Sequence, residues 1–414
     1  MAEDFPLAEH PRLRSIEIFP IDDRGQRCLV LRDPSDPALR PIVVSDGAAQ
    51  VLMLLDGQRS LEALSAALRL RGAALTPTQV RAFVERLDQA GYLEGARAAH
   101  RLHSRQGRFL EGPVRAAVHA GGAYPSGPEL PRYLDDGYMH HDGPGALPGA
   151  PDLATKPPRA VIAPHVDLHR GAPTYSWAYK AVAEAAPADL YIVLGTCHAP
   201  VAGGFAATRK AYDTPLGAVP ADRDFLECFA RLWGHDVFAG EFSHANEHSI
   251  EFQAVYLRSL GIEAPMAPIL CDSLHSLVPP GRGPRDVPLV SEFLAALREA
   301  VAADGRSVTF IAAVDLAHVG RRFADPWLVD SAHAEHVGRA DHELLDLVLA
   351  PDAEGYYQHV MRDHDARRIC GFTPLYLLAA LMAAEHCQGE LLRYTQWIDA
   401  DRTSSVTFAS AVYR

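Results

Sequence analysis

The chain of 414 residues lacks the features that would bind it to a membrane. No run approaches the roughly 18 consecutive apolar residues of a membrane span, and the first residues, MAEDFPLAEHPRL, hold no basic stretch followed by an apolar core. Both absences predict a cytoplasmic protein with no membrane partner. Positive charge is also in short supply. Lys and Arg number 39 against 52 Asp and Glu, giving a formal net charge of −13, and most of the basic residues are arginines scattered along the chain. Phosphate contacts need clustered Lys and Arg, so nucleic acid is excluded as a general partner. Cysteine is scarce too. Cys28, Cys197, Cys228, Cys271, Cys370 and Cys387 include no CxxC pair, which argues against a disulfide framework. A cysteine with a task here acts as a thiol or a ligand.

What remains is an ordinary soluble composition, 48% hydrophobic and 22% charged. The length allows two or three domains at about 150 residues each, or one large domain with an appendage. Residues 1–96 read as that appendage, a small α+β domain. SIEIFPIDDRGQRCLVLRD predicts two short strands around an Asp-Asp-Arg-Gly turn. Apolar residues then recur at helical spacing in SDGAAQVLMLLDGQRSLEALSAALRLRG, broken at Asp56-Gly57 and restarted by Ser60 with Glu62 in the first turn. A third helix in LTPTQVRAFVERLDQAGYLEG is capped by Thr76, has Pro77 just inside, and ends at Gly91. This pattern resembles a winged-helix domain, and LLDGQRSLEAL with FVERLDQAGYLEG is similar to the PqqD-type peptide-recognition domains. That likeness implies a peptide or partner enzyme as ligand; a structural or dimerisation role is the alternative. On the third helix Arg81 and Arg86 alternate with Glu85 and Asp88, a poor face for phosphates.

Residues 97–112, polar and basic, read as a linker or an exposed helix, and the Pro-, Gly- and Asp-rich residues 126–158 as loop or partly ordered insertion. From 159 onward strand-like runs (RAVIAPH, ADLYIVLGTCH, VTFIAAVDLAH, LLRYTQWID, SSVTFASAVYR) alternate with amphipathic helical stretches. The alternation predicts an α/β domain over residues 113–414, layered around a central sheet.

Three strands end in polar groups: AVIAP at His165, YIVLG at Cys197-His198, and FIAAV at Asp315 with His318 three residues on. Parallel neighbours would bring these ends together at the carboxyl edge of the sheet, where open α/β folds bind ligands. Cys370 precedes a long apolar helix, and a thiol near a helix N-terminus is biased toward the metal-binding thiolate. Two imidazoles and a thiolate supply three ligands and leave a position open. A second cluster opens a helix at SHANEHSIEFQ. Glu247 and Glu251 share a face beside His248, an arrangement suited to acid/base work or to orienting a ligand, or simply to complementing the helix dipole. His140-His141 is either an extra metal contact or a solvated loop.

Eight segments in order, HAGGAYPSGPEL, APHVDLHRG, GTCH, YDTPLG, EHSIEFQ, VDLAHVG, CGFTP and SSVTFAS, resemble the Memo family, whose prokaryotic members are called AmmeMemoRadiSam system protein B. The resemblance covers about 113 to 414. It implies a fold similar to the class III extradiol dioxygenases, a central mixed sheet flanked by helices, with His165, His198 and Cys370 as metal ligands and Asp315 and His318 lining the pocket. The dioxygenases use two His and a carboxylate; a thiolate in the third position favours copper, zinc or thiolate-bound iron. The family's usual Pro-His-Ala-Gly is here Pro164-His165-Val166-Asp167, and its Gly-Pro-Ser-His is Gly195-Thr196-Cys197-His198. Asp167 and Cys197 add either charge and a redox thiol or a loop cap and a buried filler.

The reading that follows is a redox-linked protein holding one iron or copper ion, with zinc as a further option. His318, Asp315, His248 and Glu247 would handle protons or orient a ligand. Its enzymatic form is an oxidoreductase acting on a small molecule or peptide. The alternative is a non-catalytic module that binds a peptide or partner, with a radical enzyme of the same system as the partner the family name implies. A dioxygenase-derived domain that has lost its chemistry is the third.

Overall fold

A computed structural model describes residues 5–33, 36 and 39–414. Contacts divide the chain into two compact units that meet in sequence at Glu111 and Gly112. Among the described residues, no helix is long and apolar enough to cross a membrane.

In the first unit, β1 (Glu17–Asp23), β2 (Gln26–Arg32) and β3 (Ile42–Ser45) form an antiparallel sheet in that order. Arg24 and Gly25 both take positive φ, which a two-residue hairpin turn demands. Helices follow at Leu61–Leu70, capped by Ser60, and at Pro77–Gln89, where Thr76 and Gln79 form a reciprocal capping box. Residues 97–112 fall almost wholly in a third long helix, Ala96–Glu111. Leu31, Leu52, Leu64, Leu68, Val84 and Leu87 fill the core.

The second unit is built on an eight-stranded mixed sheet. Its strands are β5 (Ala160–Ala163), β6 (Leu190–Thr196), β7 (Phe205–Ala207), β9 (Met266–Cys271), β10 (Val308–Ala313), β11 (His318–Val319), β12 (Gly389–Ile398) and β13 (Ser405–Tyr413). Outside it, β4 (Val114–Arg115) pairs with β8 (Ala211–Tyr212). The sheet runs β11-β13-β5-β10-β6-β9-β7, with β12 on β13. The four middle strands are parallel and buried along their length. This is why they read as unbroken apolar runs rather than alternating ones.

Helices cover both faces. Arg223–Trp233, Pro288–Asp304, Ser331–Leu349 and Phe372–Ala384 pack on one side, and Leu130–Met139, Leu168–Ala183 and Ser249–Ser259 on the other. Tyr256 stacks between Tyr175 and Tyr179 at centroid distances of 4.9 and 4.7 Å. Each such pair contributes about 0.5–1.5 kcal/mol beyond burial. The stack locks together the two helices that follow His165 and His248.

The reading of 126–158 as loop is corrected by the helix Leu130–Met139, whose Leu130, Leu134 and Tyr138 recur every four residues on a buried face. Pro131 is tolerated in its first turn, and Gly137 lets it press on Ala172 and Ser176, where a Cβ would come to 3.1 Å.

Candidate metal centre

The register of the sheet gathers the polar strand ends. Ala313 of β10 pairs with Ala163 of β5 on one side and with Gly195 of β6 on the other. Residues two or three positions beyond these partners therefore emerge together: His165, Asp315, Cys197 and His198. Cys370 arrives through the loop before Phe372–Ala384. Its N–H donates to the Leu316 carbonyl at 3.1 Å, and that of Gly371 to the Asp315 carbonyl at 2.8 Å. A Cβ on Gly371 would lie 2.5 Å from Val314 Cβ and 2.9 Å from the Asp315 carbonyl oxygen, so only glycine permits this approach.

Three predicted ligands meet. His165 Nδ1 lies 2.9 Å from the Ala313 carbonyl, which can only accept, so Nδ1 carries a proton and Nε2 faces Cys370 Sγ at 3.2 Å. His198 repeats the pattern with Nδ1 3.1 Å from both oxygens of Glu247 and Nε2 3.2 Å from the same sulfur. Asp315 Oδ1 accepts the backbone N–H groups of His165 and Val166 at 3.0 and 3.2 Å, while Oδ2 stands 3.6 Å from His165 Nε2.

Burial opposes a Cys370 thiolate, but the adjoining His165 and His198 outweigh it and pull the thiol down to about 5. Burial likewise pulls His165 down, yet Asp315 and the thiolate push it up to about 9. His198 is raised against its own burial by Cys370 and Glu247. The side chains thus form a thiolate between imidazolium edges, and a bound ion would take the place of the Nε2 protons.

His248 joins the same cluster. Its donor atom and those of His165 and His198 lie within 4.8 Å of one another. Its ring stacks on His198 at 4.7 Å and stands edge-on to His165 at 5.4 Å. Burial keeps it well below the usual imidazole range in spite of Glu247, so it is neutral. Glu247 is buried, but the charge of the raised His198 and the hydrogen bonds it receives from that residue hold it well below the usual carboxylate range. Its oxygens accept from the backbone N–H groups of His198, His248 and Ser249 at 2.9, 2.9 and 3.1 Å.

His318 is placed differently. Its Nδ1 lies 3.1 Å from the Leu316 carbonyl and its ring meets Phe323 edge-on at 5.1 Å. Among the described contacts none joins that ring to the three-ligand group. Cys197 is a buried thiol pushed up to about 12 by burial and Glu247, a poor nucleophile. The Asp167 carbonyl accepts from the Arg170 and Gly171 N–H groups at the start of its helix.

Several contributors escape a reading of the sequence. Arg115, fully buried, pairs with Glu251 and donates to the carbonyls of His244, Ala116 and Glu247 at 2.9, 2.8 and 2.6 Å. His119 donates its N–H to Glu251 at 3.0 Å and sets its ring edge-on to His248 at 5.6 Å. The HAGG string that contains His119 is the signal that could have found it; Arg115 has none. Gln253 donates to the Pro164 carbonyl and Ser249 Oγ to that of Thr196, both at 2.8 Å, so the EHSIEFQ helix clamps two strand ends.

Similarity to known proteins covers the unit that carries this centre. Residues 115–412 match the family described as Memo-like protein. A MEMO1 family protein of Aquifex aeolicus is 26% identical over 406 residues, 97% of this chain and 99% of the relative. One from Methanopyrus kandleri is 28% identical over 308 residues, 72% of this chain and 99% of the relative. One from Methanothermobacter thermautotrophicus is 27% identical over 304 residues, 72% of this chain and 99% of the relative. Matched along nearly its whole second unit, the chain belongs to the Memo-like protein family.

Proposed function

We propose that this chain is a metal-binding, redox-linked protein in which His165, His198 and Cys370 hold one iron or copper ion, or zinc in a redox-silent form. The observation that carries the reading is one sulfur standing 3.2 Å from Nε2 of two imidazoles. Both rings have Nδ1 fixed by an acceptor, as orienting partners of ligand histidines commonly do. Two nitrogens and a thiolate suit borderline and soft ions better than hard ones. When bound, such an ion supplies Lewis acidity or electron transfer at the strand ends. The chain's own part is to hold the donors in place through Glu247 and Asp315. His248, neutral and partly exposed, would orient a ligand above the centre through its imidazole rather than act as its base, since burial depresses its basicity.

A fold like that of the class III extradiol dioxygenases and a cytoplasmic location belong to the same reading. So does an enzymatic form, oxidation of a catechol-like molecule or a peptide, against which the thiolate ligand weighs. Elemental analysis of tag-free protein prepared without oxygen tests the proposal. About one iron or copper per chain, lost in Cys370→Ser and His198→Ala, is expected, and unchanged metal content in both variants defeats it. No oxygen uptake by ferrous protein across a catechol panel would remove the enzymatic form.

A second reading, an accessory module that binds a peptide or a radical enzyme of the same system, is favoured by one feature of the first unit. There the outer edge of β3 is unpaired among the described residues. It borders a cavity of 560 Å³ shared with Gln79, Phe83 and Arg86 of the Pro77–Gln89 helix. An extended peptide adds to such an edge by main-chain hydrogen bonds, in keeping with a winged-helix, PqqD-like unit. On this reading Val43→Pro in the full chain abolishes co-purification with the radical enzyme and leaves metal content alone; unchanged co-purification speaks against it.

A further inference from the structure

A second set of metal-type donors stands at the end of the Leu130–Met139 helix, outside the buried centre. His140, His141 and Asp142 each place a donor atom within 4.8 Å of the others. Asp142 Oδ2 lies 3.1 Å from His141 Nε2 and 3.8 Å from His140 Nδ1, and the two rings are 4.0 Å apart.

Three consecutive polar residues usually make a solvated turn, but this one is fastened on every side. Trp177 Nε1 donates to the Asp142 carbonyl at 2.8 Å, Lys180 Nζ to that of Pro144 at 2.8 Å, and the Gly145 N–H to that of Tyr138 at 2.9 Å. A Cβ on Gly143 would collide with the Gly137 and Tyr138 carbonyls, so the turn is pressed against the helix end. Arg393 pairs with Asp142 through Oδ1. That leaves Oδ2 turned to the imidazoles, and the carboxylate is oriented as a ligand's partner orients it.

We propose that His140, His141 and Asp142 form a surface site for a borderline divalent cation of the zinc, nickel or copper(II) class. Two imidazoles and a carboxylate suit such ions, whereas calcium and magnesium seek all-oxygen sets. The side chains of His140 and His141 are 42% and 80% exposed, so an ion enters from solvent and water completes its shell. His140 Nδ1 accepts the Asp142 N–H at 3.1 Å; being at the surface, that N–H passes to water when an ion takes the lone pair. His140 and Asp142 also line a cleft of 300 Å³ with Tyr133, His169 and Trp397. An ion held there faces a space large enough for a small ligand.

The test is equilibrium dialysis of tag-free full-length protein against zinc, beside His140→Ala/His141→Ala and Cys370→Ser. The expected result is two equivalents for the parent, with the double variant losing one and keeping the one that Cys370→Ser loses. Copper(II) bound to Cys370→Ser should show imidazole nitrogen couplings in its electron paramagnetic resonance spectrum, absent from the triple variant. Both histidines are exposed, so an unchanged metal-free melting curve confirms that the double variant is folded. Uptake by the double variant equal to the parent's, or a parent with no zinc outside the buried centre, overturns the proposal. The surface equivalent is counted separately, so it stands or falls independently of the buried centre.

Discussion

Glu247 holds His198 at both ends, accepting its backbone N–H at 2.9 Å through Oε2 and facing its ring Nδ1 at 3.1 Å with both oxygens. One carboxylate therefore fixes where the residue sits and which ring nitrogen turns to Cys370. The Ala313 carbonyl does the second of these for His165.

Glu247→Gln keeps the shape but removes the charge that anchors the imidazole. Metal affinity, read by competition with a chelator, should fall about 10–100-fold, the usual effect of losing an orienting partner. The fold should survive, because glutamine still accepts at the His248 and Ser249 N–H groups.

Arg115 and Glu251 are a buried pair beneath that turn, with both side chains fully enclosed. Among the described residues, Arg115→Met leaves Glu251 with only the Tyr124 hydroxyl and the His119 N–H. Breaking a buried ion pair from one side costs about 3–5 kcal/mol, so the urea midpoint should drop accordingly. The loss in Arg115→Met/Glu251→Gln should be smaller than the sum of the two single changes.

Gly371→Ala tests how Cys370 reaches the strand ends. Its backbone angles, φ −76° and ψ 16°, suit alanine, but the space does not. Overpacking of this kind costs about 1–3 kcal/mol, and the displaced loop should carry the sulfur away from both imidazoles. Metal content below the parent's under identical loading is the expected readout.

His244 gives the fold a pH dependence of its own. It is completely buried, with Nε2 2.9 Å from the Ala206 carbonyl and Nδ1 accepting from the Tyr212 hydroxyl at 2.7 Å. Burial, aided by Arg115, pulls it down to about 3. An unfolded histidine binds a proton below about 6.5, so between these values the unfolded chain holds the extra proton. Stability from this group is complete above about pH 6.5 and is lost as pH falls toward 3, by up to about 1.4 kcal/mol per unit. Denaturation of His244→Gln should show a shallower decline between pH 6 and 4 than the parent.

The parallel strands at 160–163, 190–196 and 308–313 are legible because each is enclosed on both faces and ends in a polar group. Met266–Cys271 is hidden by Pro268. Met266 bonds to Pro220 and Asp222 on the side away from β6, and alternation turns Pro268 to that side too. Pairing with β7 begins only at Ile269 there, so the missing N–H has no partner to disappoint. The helix at 130–139 is masked by Pro131 and Gly137, one harmless in a first turn and the other needed for close packing.

The centre is legible in its types but not in its supports. His165 and Cys370 are 205 residues apart, a spacing that means nothing until the sheet register brings their segments together. Cysteine and histidine stand out as chemistry-bearing residues in a sequence. Arg115 does not, since its importance comes from three contacts, to His244, Glu247 and Glu251, made by elements more than a hundred residues further on. His248, read as an acid/base group, sits among the imidazole donors because the Glu247 turn folds its ring over His198.

X-ray absorption at the metal edge tests the central claim most directly, since it reads the ligands of whichever ion is bound. Tag-free protein loaded with one equivalent of iron or copper should show one sulfur scatterer together with imidazole shells, and Cys370→Ser, which no longer keeps an ion in the buried centre, should show no sulfur around whatever metal it still takes up. A spectrum of the parent protein with only nitrogen and oxygen neighbours would contradict the assignment of Cys370, and with it the account of the centre.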